Sequence, residues 1–177
     1  MMKIDKAWFK KVLVDCGAVK YGDFQLASGK KSEYYADIKI ALTRPDILKV
    51  IAQAMTPHTS GYARIAGVEL GAVPIVVAVS LETGLPYIIV RKQKKEHGTQ
   101  KLYEGEIKKG EKMLFVEDVI TTGGTLAKAI QLIRSEGPIV DKVICVVDRE
   151  EGGKENLQEI DVELISLITG QDLIGAP

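Results

Sequence analysis

The chain is poor in the residue types that mark several classes of protein. It has two cysteines, Cys16 and Cys145, far apart and without a CxxC pair. That excludes a disulfide-stapled scaffold, and two buried, reduced thiols in a cytoplasmic protein are expected. Its two histidines, His58 and His97, are too few for a structural zinc site. There is no surplus of either charge, since 24 Lys plus Arg face 24 Asp plus Glu. A chain-wide basic surface for nucleic acid is therefore not expected. No apolar run approaches the roughly 18 residues of a membrane helix. The longest, 72–81, carries Pro74 and stops at Glu82. The N-terminal stretch spaces Trp8, Phe9, Val12, Leu13 and Cys16 along one helix face, so neither a secretory leader nor a membrane partner is expected. Repeats, low-complexity tracts and Pro/Gly/Ser linkers are missing. So are GxxxxGK[ST] and GxGxxG, which argues against a Walker loop and a dinucleotide fingerprint.

What is present suits one packed domain over 1–177, given roughly 150 residues per domain and 46% hydrophobic residues. Short apolar runs alternate with helical periods. Residues 65–68, 87–90, 113–116, 142–147 and 162–168 read as buried strands. Residues 5–16, 46–55, 73–83, 125–136 and a short stretch near 155–159 read as helices, with Pro45 at a first turn and Gly137-Pro138 as a stop. The alternation predicts an α/β fold: a mostly parallel five-stranded sheet flanked by helices. Ligands of such sheets bind beyond the carboxyl ends of the strands. At those ends stand Glu69-Leu70-Gly71, Arg91-Lys92, Glu117-Asp118 and Asp148-Arg149.

The charges, balanced overall, are sorted locally. Residues 91–104 hold five basic and two acidic residues, and 148–163 hold seven acidic and two basic ones.

Four segments carry chemistry. In MLFVEDVITTGGT, residues 113–125, an apolar strand runs into Glu117 and Asp118, then Val119-Ile120, then Thr121-Thr122-Gly123-Gly124-Thr125 at a helix start. Backbone N–H groups, three hydroxyls and the helix dipole make an anion cradle there. The acids upstream would repel a bare phosphate. They suit sugar hydroxyls, or a Mg²⁺ carried by the ligand. The pair of features suggests a ribose phosphate. In YIIVRKQKKEHG, residues 87–98, a strand exits into Arg91, Lys92, Lys94, Lys95 and His97. This reads as a mobile cationic loop, able to reach an anionic leaving group after the substrate enters. In FQLASGKKSEYY, residues 24–35, Ser28-Gly29 is a turn and Tyr34-Tyr35 begin an extended stretch, where an aromatic pair is commonly core. In VVDRE, residues 146–150, Arg149 follows a buried strand; a guanidinium there either pairs with its acidic neighbours or grips a carboxylate.

VEDVITTGGT resembles the phosphoribosyl diphosphate (PRPP) motif of the type I phosphoribosyltransferases. RKxxKxHG resembles the catalytic loop of the orotate phosphoribosyltransferases in particular, and FxLxSGxxSxYY resembles their N-terminal signature. The segments run from residue 24 to 149 in the family's order, and the resemblance covers essentially the whole chain. It implies a Rossmann-like type I fold with a small N-terminal base-side hood at about 1–45, a core at about 46–177 and a mobile catalytic loop at 91–104. It implies conversion of orotate and PRPP to orotidine 5′-monophosphate and diphosphate, in pyrimidine synthesis. For PRPP it implicates Arg91, Lys92, Lys95, His97, Glu117, Asp118, Val119, Ile120 and Thr121 to Thr125. Lys95, His97 and Asp118 are the implied catalytic residues; Thr121 and Arg149 would meet orotate. Mg²⁺ would arrive on PRPP, with no metal site of the protein's own. The chain departs from the bacterial pattern at Ala27, where those members carry Lys. A phosphoribosyltransferase for another base, or a PRPP-binding regulator, stays open, though no helix-turn-helix segment is appended.

The resemblance also implies a homodimer in which the loop bearing Lys95 reaches the partner's site. A loop variant and a cradle variant, each inactive alone, should then regain part of the activity when mixed. The assay is PRPP-dependent turnover of the mixture, and no regain at any ratio would count against shared sites.

Overall fold

The computed structural model describes residues 4–25, 29, 31–92 and 101–174. The chain opens with helix α1 (Lys6–Asp15), started by Asp5, whose carboxylate accepts the Trp8 N–H at 2.9 Å. Phe9 and Leu13 point inward from it. Strands β1 (Val19–Gln25) and β2 (Lys31–Ala36) pair antiparallel as a separate hairpin. Helices α2 (Ile38–Leu42) and α3 (Pro45–Met55) follow, then one 3₁₀ turn at Thr56–Thr59.

β3 (Arg64–Val68), α4 (Val73–Thr83), β4 (Tyr87–Val90), β5 (Tyr103–Glu104), β6 (Met113–Ile120), α5 (Gly124–Ser135), β7 (Lys142–Asp148), α6 (Gly153–Gln158), β8 (Glu163–Thr169) and α7 (Gly170–Leu173) complete the described chain. From β3 on, strand and helix alternate, except that β4, β5 and β6 follow one another. The sheet order is β5-β4-β3-β6-β7-β8. Every neighbour is parallel except β5, which pairs antiparallel with β4.

The five expected strands are all present and parallel. The sheet has a sixth, because the chain returns along β4 for two residues, Tyr103 and Glu104. A two-residue strand leaves no periodicity to read. β6 also outruns its expected end at Val116. It stays paired with β7 through Glu117↔Cys145, Val119↔Val147 and Ile120↔Asp148. Backbone pairing continues under charged side chains, where an apolar pattern has already stopped.

Apolar strands are required because both faces of the sheet are covered. Leu114, Val116, Ile144 and Val146 belong to one core, with Ile51 and Met55 of α3 and Ile75 and Val79 of α4. Met113, Phe115, Val143 and Cys145 belong to the other, with Leu126, Ala129, Ile130 and Ile133 of α5. The two alternating sets are the two sides of each strand. Cys145 is fully buried, as expected. Cys16 is only half-buried, because it caps the last turn of α1 and packs at the edge of the core. Among the described residues no helix is long and apolar enough to cross a membrane.

At the amino end of the strands Arg64 and Glu111 form a buried ion pair. Nε to Oε1 is 2.8 Å, with side chains 6% and 8% exposed. The same oxygen accepts the Lys108 N–H at 2.9 Å. Two charges removed from water hold only as a pair. Glu111→Ala should therefore cost about 3–5 kcal/mol, whereas joint replacement by apolar residues of similar volume should cost far less. Urea unfolding of the single and double variants is the measurement; equal losses would refute the pairing argument.

Candidate active site

Three of the strand exits meet in a cleft of about 490 Å³. Val68 and the turn Glu69-Leu70-Gly71 form one wall, Lys92 stands beside it, and Glu117 to Leu126 form the floor and far wall. Ala36, Ile38 and Lys39, from the end of the hairpin and the start of α2, close the remaining side.

The acid pair sits on paired strand. The Asp118 N–H donates to Glu117 Oε1 at 3.1 Å, and the Val119 N–H donates to Asp118 Oδ1 at 2.8 Å. Glu117 opens partly to the cleft but is otherwise enclosed by protein. Burial pushes its carboxyl well above the usual glutamate range, and the hydrogen bond to Asp118 and the charge there add to this. Asp118 leans on the turn after β3. A Cβ at Gly71 would lie 2.2 Å from Asp118 Oδ2, so any larger residue would displace the carboxylate.

The cradle is braced from behind. Gly123 is left-handed at φ 72 and caps α5. Its position lets Thr121 to Thr125 turn sharply, and a Cβ there would press on the Gly153 carbonyl at 3.3 Å. Asn156 of α6 donates from Nδ2 to the Thr122 carbonyl at 2.8 Å. The first-turn N–H groups of α5 have no intrahelical partners and the turn carries no acid, so the end is suited to an anion.

The expected site residues divide into three groups. Lys92 and Glu117 through Thr125 line the cleft together. Lys95 and His97 lie outside the described residues, as does Ala27. Arg91 and Arg149 are described but do not line the cleft. Arg91 turns aside to Glu104, NH1 to Oε1 at 3.0 Å, and lines a neighbouring hollow with Lys92 and Lys128. Arg149 stands one strand over. Its N–H donates to the carbonyl of Ile120, a cleft residue, at 2.9 Å. Its Nε meets Glu151 at 2.9 Å, and its guanidinium lies 5.7 Å from the ring centre of Tyr34. Tyr34 is buried and its hydroxyl is raised by that burial. Of the two tyrosines only Tyr34 is core; Tyr35 is exposed, tilted against Phe24 at 5.7 Å.

Two cleft residues carried little or no signal in the sequence. Lys39 had none, because its place depends on α2 docking across the strand ends. Glu69 was legible only by position, at the end of β3; its carboxylate accepts the Lys92 N–H at 2.8 Å.

Residues 58–174, which include most of this cleft, match the family described as phosphoribosyl transferase domain. An orotate phosphoribosyltransferase of Methanosarcina acetivorans is 53% identical over 161 residues, 90% of this chain and 86% of that one. The solved orotate phosphoribosyltransferase of Aeropyrum pernix superposes with a TM-score of 0.84 at 34% identity, over 94% of this chain and 96% of that one. The Mycobacterium tuberculosis enzyme, solved in complex with PRPP, gives 0.77 at 28% identity, over 96% and 99%. The chain belongs to the orotate phosphoribosyltransferase family.

The raised Glu117 carboxyl has a consequence for stability. Its folded pKa lies above its unfolded one, so its contribution is fully present below the ordinary glutamate range and is lost as pH rises through the folded value. Glu117→Gln should melt with the wild type in mild acid and above it in mild alkali. Melting curves across pH test this; parallel curves would show that the burial cost is not felt.

Proposed function

We propose that the cleft divides the orotate phosphoribosyltransferase reaction among the residues named above. The chain moves the 5-phosphoribosyl group from PRPP to orotate, giving orotidine 5′-monophosphate and diphosphate. In the proposed division, Thr121 to Thr125 hold the 5′-phosphate on the amino end of α5. Glu117 and Asp118 hold the ribose hydroxyls. The bond from the anomeric carbon to the diphosphate oxygen breaks, its electron pair leaving with diphosphate, as a ring nitrogen of orotate forms the new one and gives its proton to the departing diphosphate. Positive charge grows on the ribose in between, and the nearby carboxyl groups favour it. Arg149 orients orotate by its carboxylate, with Glu151 and the Tyr34 ring fixing the guanidinium plane. Lys92, with Lys95 and His97 outside the described residues, stabilises the departing diphosphate.

The single observation behind this division is the continuous run from Glu117 to Thr125. It brings an acid pair and an anion cradle into one cleft. The mycobacterial relative solved with PRPP supports the choice of donor. Mg²⁺ fits as an ion brought by PRPP. The cleft offers adjacent carboxyl and hydroxyl oxygens, the donors that ion takes. When bound it would neutralise diphosphate charge. The same reading includes a cytoplasmic homodimer with the 91–104 segment shared between sites.

Purified protein with Mg²⁺, PRPP and orotate should lower the orotate absorbance while releasing an equal amount of diphosphate. PRPP binding without diphosphate release would make the chain a regulator, and turnover only with another base would change the acceptor. Arg149→Ala should raise KM for orotate about ten- to a hundredfold, the worth of a hydrogen bond to a charged group. KM for PRPP should hardly move. A rise confined to PRPP would remove Arg149 from the base subsite.

A further inference from the structure

We infer that Lys39 is a ligand of the diphosphate group, an inference that rests on the reaction proposed above. The cleft has a charge problem. Its described lining carries three acids, Glu69, Glu117 and Asp118, and two cations, Lys39 and Lys92. A substrate with a 5′-phosphate and a diphosphate must enter this acidic ring. The cradle answers for the 5′-phosphate alone. Of the acids, Glu69 is already engaged by the Lys92 backbone. The diphosphate needs cations elsewhere on the wall, and Lys39 is one of the two described.

Its placement suits that task. Lys39 lies in the first turn of α2, and its ammonium is 3.1 Å from Asp37 Oδ1. Asp37 is anchored in turn, since its N–H donates to the Ala18 carbonyl at 2.7 Å. The ammonium has three N–H groups, and pairing with Asp37 takes up one and leaves the others to be shared. The Lys39 side chain is 60% exposed, open to an incoming group. The hydrogen bond and charge of Asp37, with the Asp118 charge, push its ammonium pKa up. Lys39 feels the Asp118 charge, Asp118 packs on Gly71, and Glu69 of the same turn holds the Lys92 N–H, so these residues share one part of the cleft wall. An anion there meets the tethered Lys39 ammonium, with Lys92 on the same cleft wall. A lysine serving only as a solvated partner for Asp37 would have no reason to share this part of the wall.

Calorimetric titration of the full-length protein with Mg²⁺-PRPP and with Mg²⁺-diphosphate tests the assignment. Lys39→Ala should weaken both about ten- to a hundredfold, the range of a charge-assisted hydrogen bond. Lys39→Arg should restore most of the loss. Orotidine 5′-monophosphate, which has no diphosphate, should bind as before, and the melting temperature should not change. In turnover, KM for PRPP should rise while KM for orotate stays put. Unchanged PRPP and diphosphate affinity in an active protein would overturn the inference and leave the reaction standing. Equal weakening of the monophosphate, or a shift confined to orotate, would also overturn it. A wild type that neither binds PRPP nor consumes orotate would overturn the underlying reading instead.

Discussion

The site depends on one ladder, the parallel pairing of β6 with β7 out to Ile120↔Asp148. A strand that let go at Val116 would leave two adjacent carboxyl groups on a loop, free to separate by repulsion. Pairing denies them that freedom and carries the backbone straight into the turn at Thr121. The same ladder delivers Arg149. Its N–H completes the pattern by donating to Ile120, so the guanidinium and the cradle are fixed to a single pair of strands. Functional residues from distant parts of the chain share one rigid reference, which is what close positioning of reacting groups requires.

Small residues then set the distances. Gly71 allows the turn after β3 to touch the Asp118 carboxylate, and Gly123 with Gly153 allows α6 to press on the back of the cradle. These contacts leave no room for a methyl group. They make the cleft a product of backbone approach as much as of side-chain choice. Its chemistry is correspondingly mixed. Glu117, its carboxyl pushed well up by burial, is held beside Asp118, and Lys39 and Lys92 line the same cleft. The zero net charge of the chain conceals this local sorting of opposite signs.

Much of this was legible in the sequence, for a physical reason. Strands covered on both faces must be apolar throughout, so KVICVV and MLFV announce themselves. The cradle was legible because a helix start rich in Gly and Thr behind a strand has few other uses. What escaped was whatever the third dimension decides. The extension of β6 under Glu117 and Asp118 is invisible to an apolar pattern. β5 is two residues long. The grip of Tyr34 on Arg149 joins opposite ends of the chain, and nothing around Lys39 distinguishes it from a surface lysine. Arg91 read as a cleft residue because it follows β4 directly; the structure gives it to Glu104 and to the neighbouring hollow.

The two thiols, finally, give the molecule an internal clock. Cys145 sits in the middle of β7 opposite Glu117, wholly enclosed, and burial with the surrounding acids pushes its thiol well up. A reagent reaches that sulfur only when the central ladder comes apart. Cys16, half-buried at the end of α1, is open to solvent without any such event. An alkylating reagent therefore labels one cysteine of the native molecule at once and the other only at the pace of sheet opening. The ratio of the two labels in a single chain reads how often the scaffold beneath the active site lets go.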